Sequence, residues 1–264
     1  MSARRVIRLL AVFVRTCLVK EMEFRGNFWM GVFANVIWVS AYLVFMKIIY
    51  ANTKSVGGWT QGQGVVLLGT YVLTRSIVDI AFSRNLAELP NLVRMGTFDF
   101  VLVKPVNSQF FVSLRYMNFG EIGSALAAIA MIVYGARMDH IRITGSSLLA
   151  YVCMLACAIC IFYGIYLMLM ATAFWFVRVD NLWTLGETVF QVARVPINIF
   201  GVRATQILTF VVPLIFIAHV PAQALMSLLT PLLFVVGVAM SITLLVLSSL
   251  FWSFATRFYT SASS

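Results

Sequence analysis

Charge is what this sequence has least of. Only 11% of its 264 residues are Asp, Glu, Lys or Arg, less than half the share of an ordinary soluble domain. Against 62% hydrophobic residues, that shortage excludes a water-soluble fold. A core of this size cannot hide so much apolar surface, whereas hydrocarbon around a bundle accepts it. Carboxylates are the scarcer sign, nine Asp and Glu against nineteen Lys and Arg, for a net charge of +10. With no soluble fold to carry a basic face, that excess does not indicate nucleic acid. It fits lipid headgroups and control of topology.

Catalytic signatures are missing as well. No G-x-x-x-x-G-K-[ST] phosphate loop occurs, and Gly57, Gly58 and Gly62 come without the lysine such a loop needs. There is no H-E-x-x-H, and no G-x-S-x-G elbow accompanies Ser146, Ser147 and His140. The cysteines are few: Cys17 stands alone, and Cys153, Cys157 and Cys160 recur at helical spacing within one apolar run. There they read as small packing residues rather than metal ligands or a disulfide framework. No catalytic residue, no metal site and no bound cofactor is therefore expected. The apolar stretch Leu9 to Val14 is short and is followed by Arg15, Lys20, Glu21 and Glu23, so no cleavable leader is expected either.

What the sequence has in abundance is long apolar runs. A membrane-spanning helix needs about 20 mostly apolar residues, and six segments qualify: Asn27 to Tyr50, Gly64 to Phe82, Phe110 to Tyr134, Leu148 to Val177, Ala204 to Val220 and Leu232 to Phe254. Ahead of them, Ile7, Leu10, Ala11, Val14 and Leu18 recur at helical spacing opposite Arg4, Arg5, Arg8 and Arg15. This pattern predicts an amphipathic helix lying in the membrane surface. With the N-terminus placed in the cytoplasm, the inner side holds Arg4, Arg5, Arg8, Arg15, Lys20, Arg25, Arg84, Arg94, Lys104, Arg115, Arg178, Arg194, Arg203 and Arg257. The outer side keeps Lys47, Lys54, Arg137 and Arg142. The positive-inside bias thus places both termini inside, with short outer loops at residues 51–63, 135–147 and around Pro221 to Pro231.

Two inner connections are long and patterned. In residues 83–109, Leu86, Leu89 and Val93 mark one side of a short helix, Gly96 is suited to stopping it, and Pro105 ends the run. In residues 178–201, Asp180 is a candidate N-cap for a helix carrying Trp183, Val189 and Phe190, closed by Pro196 and Gly201. Within the spans, Arg75 and Asp79 lie four apart and so on one helix face, and Glu121 lies in the polar start of span three, six residues after Arg115. Charges in hydrocarbon cost on the order of 3 kcal/mol each on insertion scales. Either these residues line a translocation path or gate, or Arg75 and Asp79 form a structural ion pair that neutralises itself.

The layout of six spans, a basic interfacial helix and a long segment after the second span resembles the ABC-2 family of ABC transporter permeases. The run Arg94-Met-Gly96-Thr-Phe-Asp99-Phe-Val-Leu-Val-Lys104-Pro105 is similar to that family's G-x-x-D-x-x-L-x-x-P stretch. Pro196, Pro213 and Pro221-Ala222 resemble its proline-punctuated region before the last span, with Val195 where the family has tyrosine. The resemblance implies an all-α fold with an elbow helix (residues 1–26) and a six-helix transmembrane domain (27–264). It implies coupling contacts through Leu89, Arg94, Gly96, Asp99, Lys104, Pro105 and Trp183. It also implies a permease of the bacterial inner membrane driven by a separate ATP-binding subunit, present in two copies and holding the ATP and Mg. A second permease, identical or paralogous, and membrane lipid would be the other partners. The competing expectation is a stand-alone secondary transporter or channel using Arg75, Asp79 and Glu121.

Overall fold

The computed structural model of the chain describes residues 3–23, 25–176 and 180–260. Among these residues no β-strand forms, and the one β-type pairing is an isolated bridge between Val56 and Trp59. Thirteen α-helices carry the fold: α1 (Ala3–Glu23), α2 (Arg25–Ala51), α3 (Gln61–Val78), α4 (Arg84–Ala87), α5 (Leu89–Arg94), α6 (Asp99–Leu102), α7 (Ser108–Leu114), α8 (Ile122–Met138), α9 (Gly145–Ala171), α10 (Asp180–Phe190), α11 (Gly201–Phe210), α12 (His219–Leu225) and α13 (Pro231–Ala255). Five stretches are long and apolar enough to cross a bilayer: Trp29–Ala51, Gln61–Arg94, Phe119–Met138, Gly145–Phe174 and Pro231–Phe258. This is an all-α, multi-pass membrane protein.

Three spans start at one end of the bundle, here called upper, and each is capped there by threonine. Thr60, Thr144 and Thr230 accept the backbone N–H groups of Gln63, Ser147 and Leu233, satisfying donors that open the helix and that lipid cannot serve. Asp139, at the end of α8, accepts from the Thr60 hydroxyl and from the Gln63 N–H, fixing α8 antiparallel to α3. The two helices touch at backbone level. A Cβ at Gly135 would lie 2.6 Å from the Gly62 carbonyl oxygen, the close approach that small residues permit between membrane helices. The run from Gln61 to Arg94 has 34 residues, about 50 Å at helical rise, so its lower turns project beyond hydrocarbon about 30 Å thick.

The third span begins later than the sequence pattern predicts. Phe110 to Leu114 belongs to the separate helix α7, and the crossing starts only at Phe119. The break is built from side chains. Fully buried Asn85 donates to the Tyr116 carbonyl (2.6 Å) and accepts the Tyr116 N–H (3.0 Å). A π-helical turn at Asp79–Ser83 leaves the Ile80 carbonyl to accept the Asn118 N–H (2.9 Å). Backbone groups that a continuous helix would have paired internally are thereby paired across the bundle.

The fifth crossing is also displaced from its expected place at Ala204 to Val220. Phe174, at the lower end, packs on Phe98, Trp252 and Tyr259. From there α10 climbs along α9, with Trp183 over Tyr166 and Phe190 over Phe162 (centroids 4.5 and 4.2 Å). A 3-10 segment, Gln191–Arg194, continues to the upper end, where Asn198 donates to the Gly57 carbonyl (3.2 Å). Residues 180–196 therefore cross the bundle rather than lying across its lower face. Arg178 and Val177 lie outside the described residues, as does the side chain of Asp180, so the predicted N-cap is not described. Gly201 takes φ +75° and starts α11. Ile197–Phe210 and Leu214–Leu225 then meet at 82°, because Pro213 has no N–H with which to continue the helix. The carbonyl of Ile217 is satisfied by the Thr74 hydroxyl (3.0 Å). Both ends of this pair lie at the upper end, beside Gly57 and at Thr230, so it is a re-entrant hairpin. Pro221 sits within α12, not in an outer turn.

At the lower end α1 lies against the bundle, with Phe13 on Phe110 and Phe111 (6.4 and 5.9 Å) and the Glu21 carboxylate accepting the Gly120 N–H. Helices α5 and α6 form a hairpin turned at Gly96, which takes φ +70°, a conformation that favours glycine.

Candidate functional site

Arg75, Asp79 and Glu121 line one polar cavity of about 260 Å³, open between α2, α3 and the fifth crossing. Arg75 Nε donates to Asp79 Oδ2 at 2.6 Å, so the helical spacing does bring the pair together. A third member comes from elsewhere in the chain: Arg75 Nη1 also bonds Glu187 of α10. Tyr166 donates to the same Glu187 oxygen (2.9 Å), Ser83 donates to Asp79, and the Arg75 guanidinium lies over the Phe162 ring (5.7 Å). The three charged side chains each keep about a fifth of their surface accessible. The cluster is thus screened partly from lipid and partly by the cavity. Glu121 is not paired with Arg115. It accepts from Asn35 (3.3 Å) and Ser124 (2.8 Å), on the opposite wall.

Glu187, Gln191 and Arg194 are functional candidates that the sequence pattern did not single out, because the segment holding them, residues 178–201, was read as an inner connection between spans. Arg194 lies over the rings of Tyr42 and Tyr71 (5.2 and 5.7 Å). Among the described residues it makes no ion pair. Trp183 was expected at the ATPase contact, but it is half-buried against Tyr166 inside the bundle.

The other expected coupling residues do gather on the lower hairpin, in different roles. Leu89 is fully buried, and Phe98 is locked among Phe174, Trp252 and Tyr259 (5.2, 6.1 and 5.0 Å). Tyr259 donates to the Gly96 carbonyl (3.0 Å). Burial, together with the neighbouring Asp99 carboxylate, pushes the Tyr259 phenol above its ordinary pKa. Arg94 bonds the Asn91 side chain (2.7 Å), Lys104 caps the Phe111 ring (4.0 Å), and Pro105 is exposed. Beyond this anchored base the tip is apolar and bare. Met95 is 71% exposed, Phe100 69% and Val103 78%, at the end of a helix that projects beyond the bilayer.

The family model for ABC-2 family transporter proteins matches residues 36–263. The chain belongs to that family. No curated protein and no solved structure matches it. As an ABC-2 permease it is a transmembrane subunit of an ABC transporter, in a family whose members are not themselves catalytic and in general partner with an ATP-binding subunit. The matched range of the permease takes in the lower hairpin and the re-entrant pair. The polar cavity and the hairpin are therefore both parts of the family's domain.

Proposed function

We propose that this permease forms half of the membrane channel of an ATP-driven exporter, pairs with a second permease, and takes its driving motion through the α5–α6 hairpin. The observation that carries this reading is the exposed apolar tip, Met95, Phe100 and Val103, on a base packed into the bundle. Apolar residues exposed at the aqueous end of a membrane protein mark a protein contact. A rigid base passes a push on the tip to α3, α9 and α13 rather than absorbing it. Since α3 to α5 is one nearly continuous helix, displacement at Leu89 reaches Asp79 and Arg75, whose bond to Glu187 links α3 to the fifth crossing. In this reading the triad with Glu121 and Arg194 forms the lower part of the path, and the re-entrant hairpin closes its upper end.

Orientation follows the same logic. The lower end carries Arg4, Arg5, Arg8, Arg15, Lys20, Arg84, Arg94, Lys104, Arg115 and Arg257, while Arg203 belongs with Lys47, Lys54, Arg137 and Arg142 at the upper end. The bias supports a cytoplasmic lower end in a bacterial inner membrane. Only 11% of the apolar stretch of α2 is buried within one chain, which supports packing against a second permease beside the cavity.

The test is purification of the tagged full chain from membranes of its own cell. Co-purification of an ATP-binding-cassette subunit is expected, together with its loss on Phe100→Asp plus Val103→Asp. Isolation of the chain alone, with solute flux driven by an ion gradient in vesicles, would favour the stand-alone transporter and remove this reading.

A further inference from the structure

We infer that the groove between α1 and the α5–α6 hairpin is a binding site for an anionic phospholipid. The groove has a volume of about 490 Å³. One wall is α1, held by the Phe13 contacts with Phe110 and Phe111 and by Cys17, whose sulfur accepts the Met117 N–H at 3.3 Å. The facing wall is the hairpin, and α7 forms the floor. Its charged lining is entirely cationic: Lys20, Lys104 and Arg115. None of the three makes an ion pair among the described residues. Arg115 stacks on Tyr116 (4.9 Å) while its Nε is buried without a hydrogen-bond acceptor. An unanswered N–H in a groove lined also by two lysines, with no carboxylate among the lining residues, suits a multi-oxygen anion.

The apolar lining decides which anion. Val12, Phe13 and Phe100 flank the same groove, and inorganic phosphate would leave them facing water. A phospholipid satisfies both parts, its phosphate on the cations and an acyl chain along the aromatic wall. The depth agrees, since α1 is an amphipathic helix at the end where the spans leave hydrocarbon. The lipid would bridge the interfacial helix and the hairpin. That it tunes coupling rests on the proposed function, whereas binding itself does not.

The test is native mass spectrometry of the full chain in detergent, titrated with phosphatidylglycerol or with phosphatidylcholine of the same acyl chains. Phosphatidylglycerol should bind preferentially, and Lys20→Gln plus Lys104→Gln should weaken it roughly thirtyfold, as two lost basic contacts require. Arg142→Gln, at the upper end of the bundle and outside the groove, should leave it unchanged. Equal binding of the two lipids, wild-type affinity in the double variant, or displacement by inorganic phosphate alone would each overturn the proposal. No ATP-binding subunit takes part in this measurement. Intact lipid selectivity with no ATPase partner would therefore count against the coupling reading alone.

Discussion

Arg75 of α3 and Glu187 of α10 are bonded directly across the bundle, although 112 residues separate them in sequence. The bond turns a local i,i+4 pair into a joint between two crossings. Removing the cation strands two carboxylates in a partly buried site, which costs about 3 kcal/mol. Arg75→Gln should therefore lower the melting temperature in detergent and abolish transport. The swap Arg75→Glu with Glu187→Arg should recover part of the stability. A wild-type melting curve for Arg75→Gln would show that the joint contributes nothing.

The exposed tip and the buried base of the hairpin should separate cleanly. Phe100→Asp leaves the core untouched and is expected to melt within about 0.5 kcal/mol of wild type while losing the ATP-binding subunit. Phe98→Ala empties a site with no exposed surface and should destabilise by about 3–5 kcal/mol. If both variants retain the subunit equally well, the tip is not the docking contact.

Labelling from the two sides of the membrane distinguishes the observed fifth crossing from the one expected by hydropathy. In a background with the native cysteines replaced, Asn198→Cys should react with a membrane-impermeant thiol reagent from the same side as Lys54→Cys. Val103→Cys should react only from the other. Reaction of Asn198→Cys together with Val103→Cys would place residues 180–200 at the lower face after all.

The α3–α8 contact predicts a contrast between two glycines. Gly135→Ala drives a methyl group to within 2.6 Å of the Gly62 carbonyl oxygen unless the helices separate, and should cost about 1–3 kcal/mol. Gly31→Ala meets nothing within 4 Å and should be neutral or slightly stabilising. Thermal unfolding followed by tryptophan fluorescence checks both, and equal melting of the two variants would contradict the packing.

Composition and local spacing alone determined the membrane class, four of the crossings, the basic amphipathic N-terminal helix, the Arg75–Asp79 pair and the glycine turn at position 96. Each depends on residues within a few turns of one another, so transfer free energy and helical geometry decide them without reference to the rest of the chain. The start of span three, the fifth crossing and the third partner of Arg75 were decided only by tertiary structure. Hydropathy scores a residue against lipid, yet Glu187, Gln191 and Arg194 face a polar cavity, so a true crossing looks polar. The re-entrant hairpin is apolar because protein buries it, so it resembles a span while both its ends return to one side.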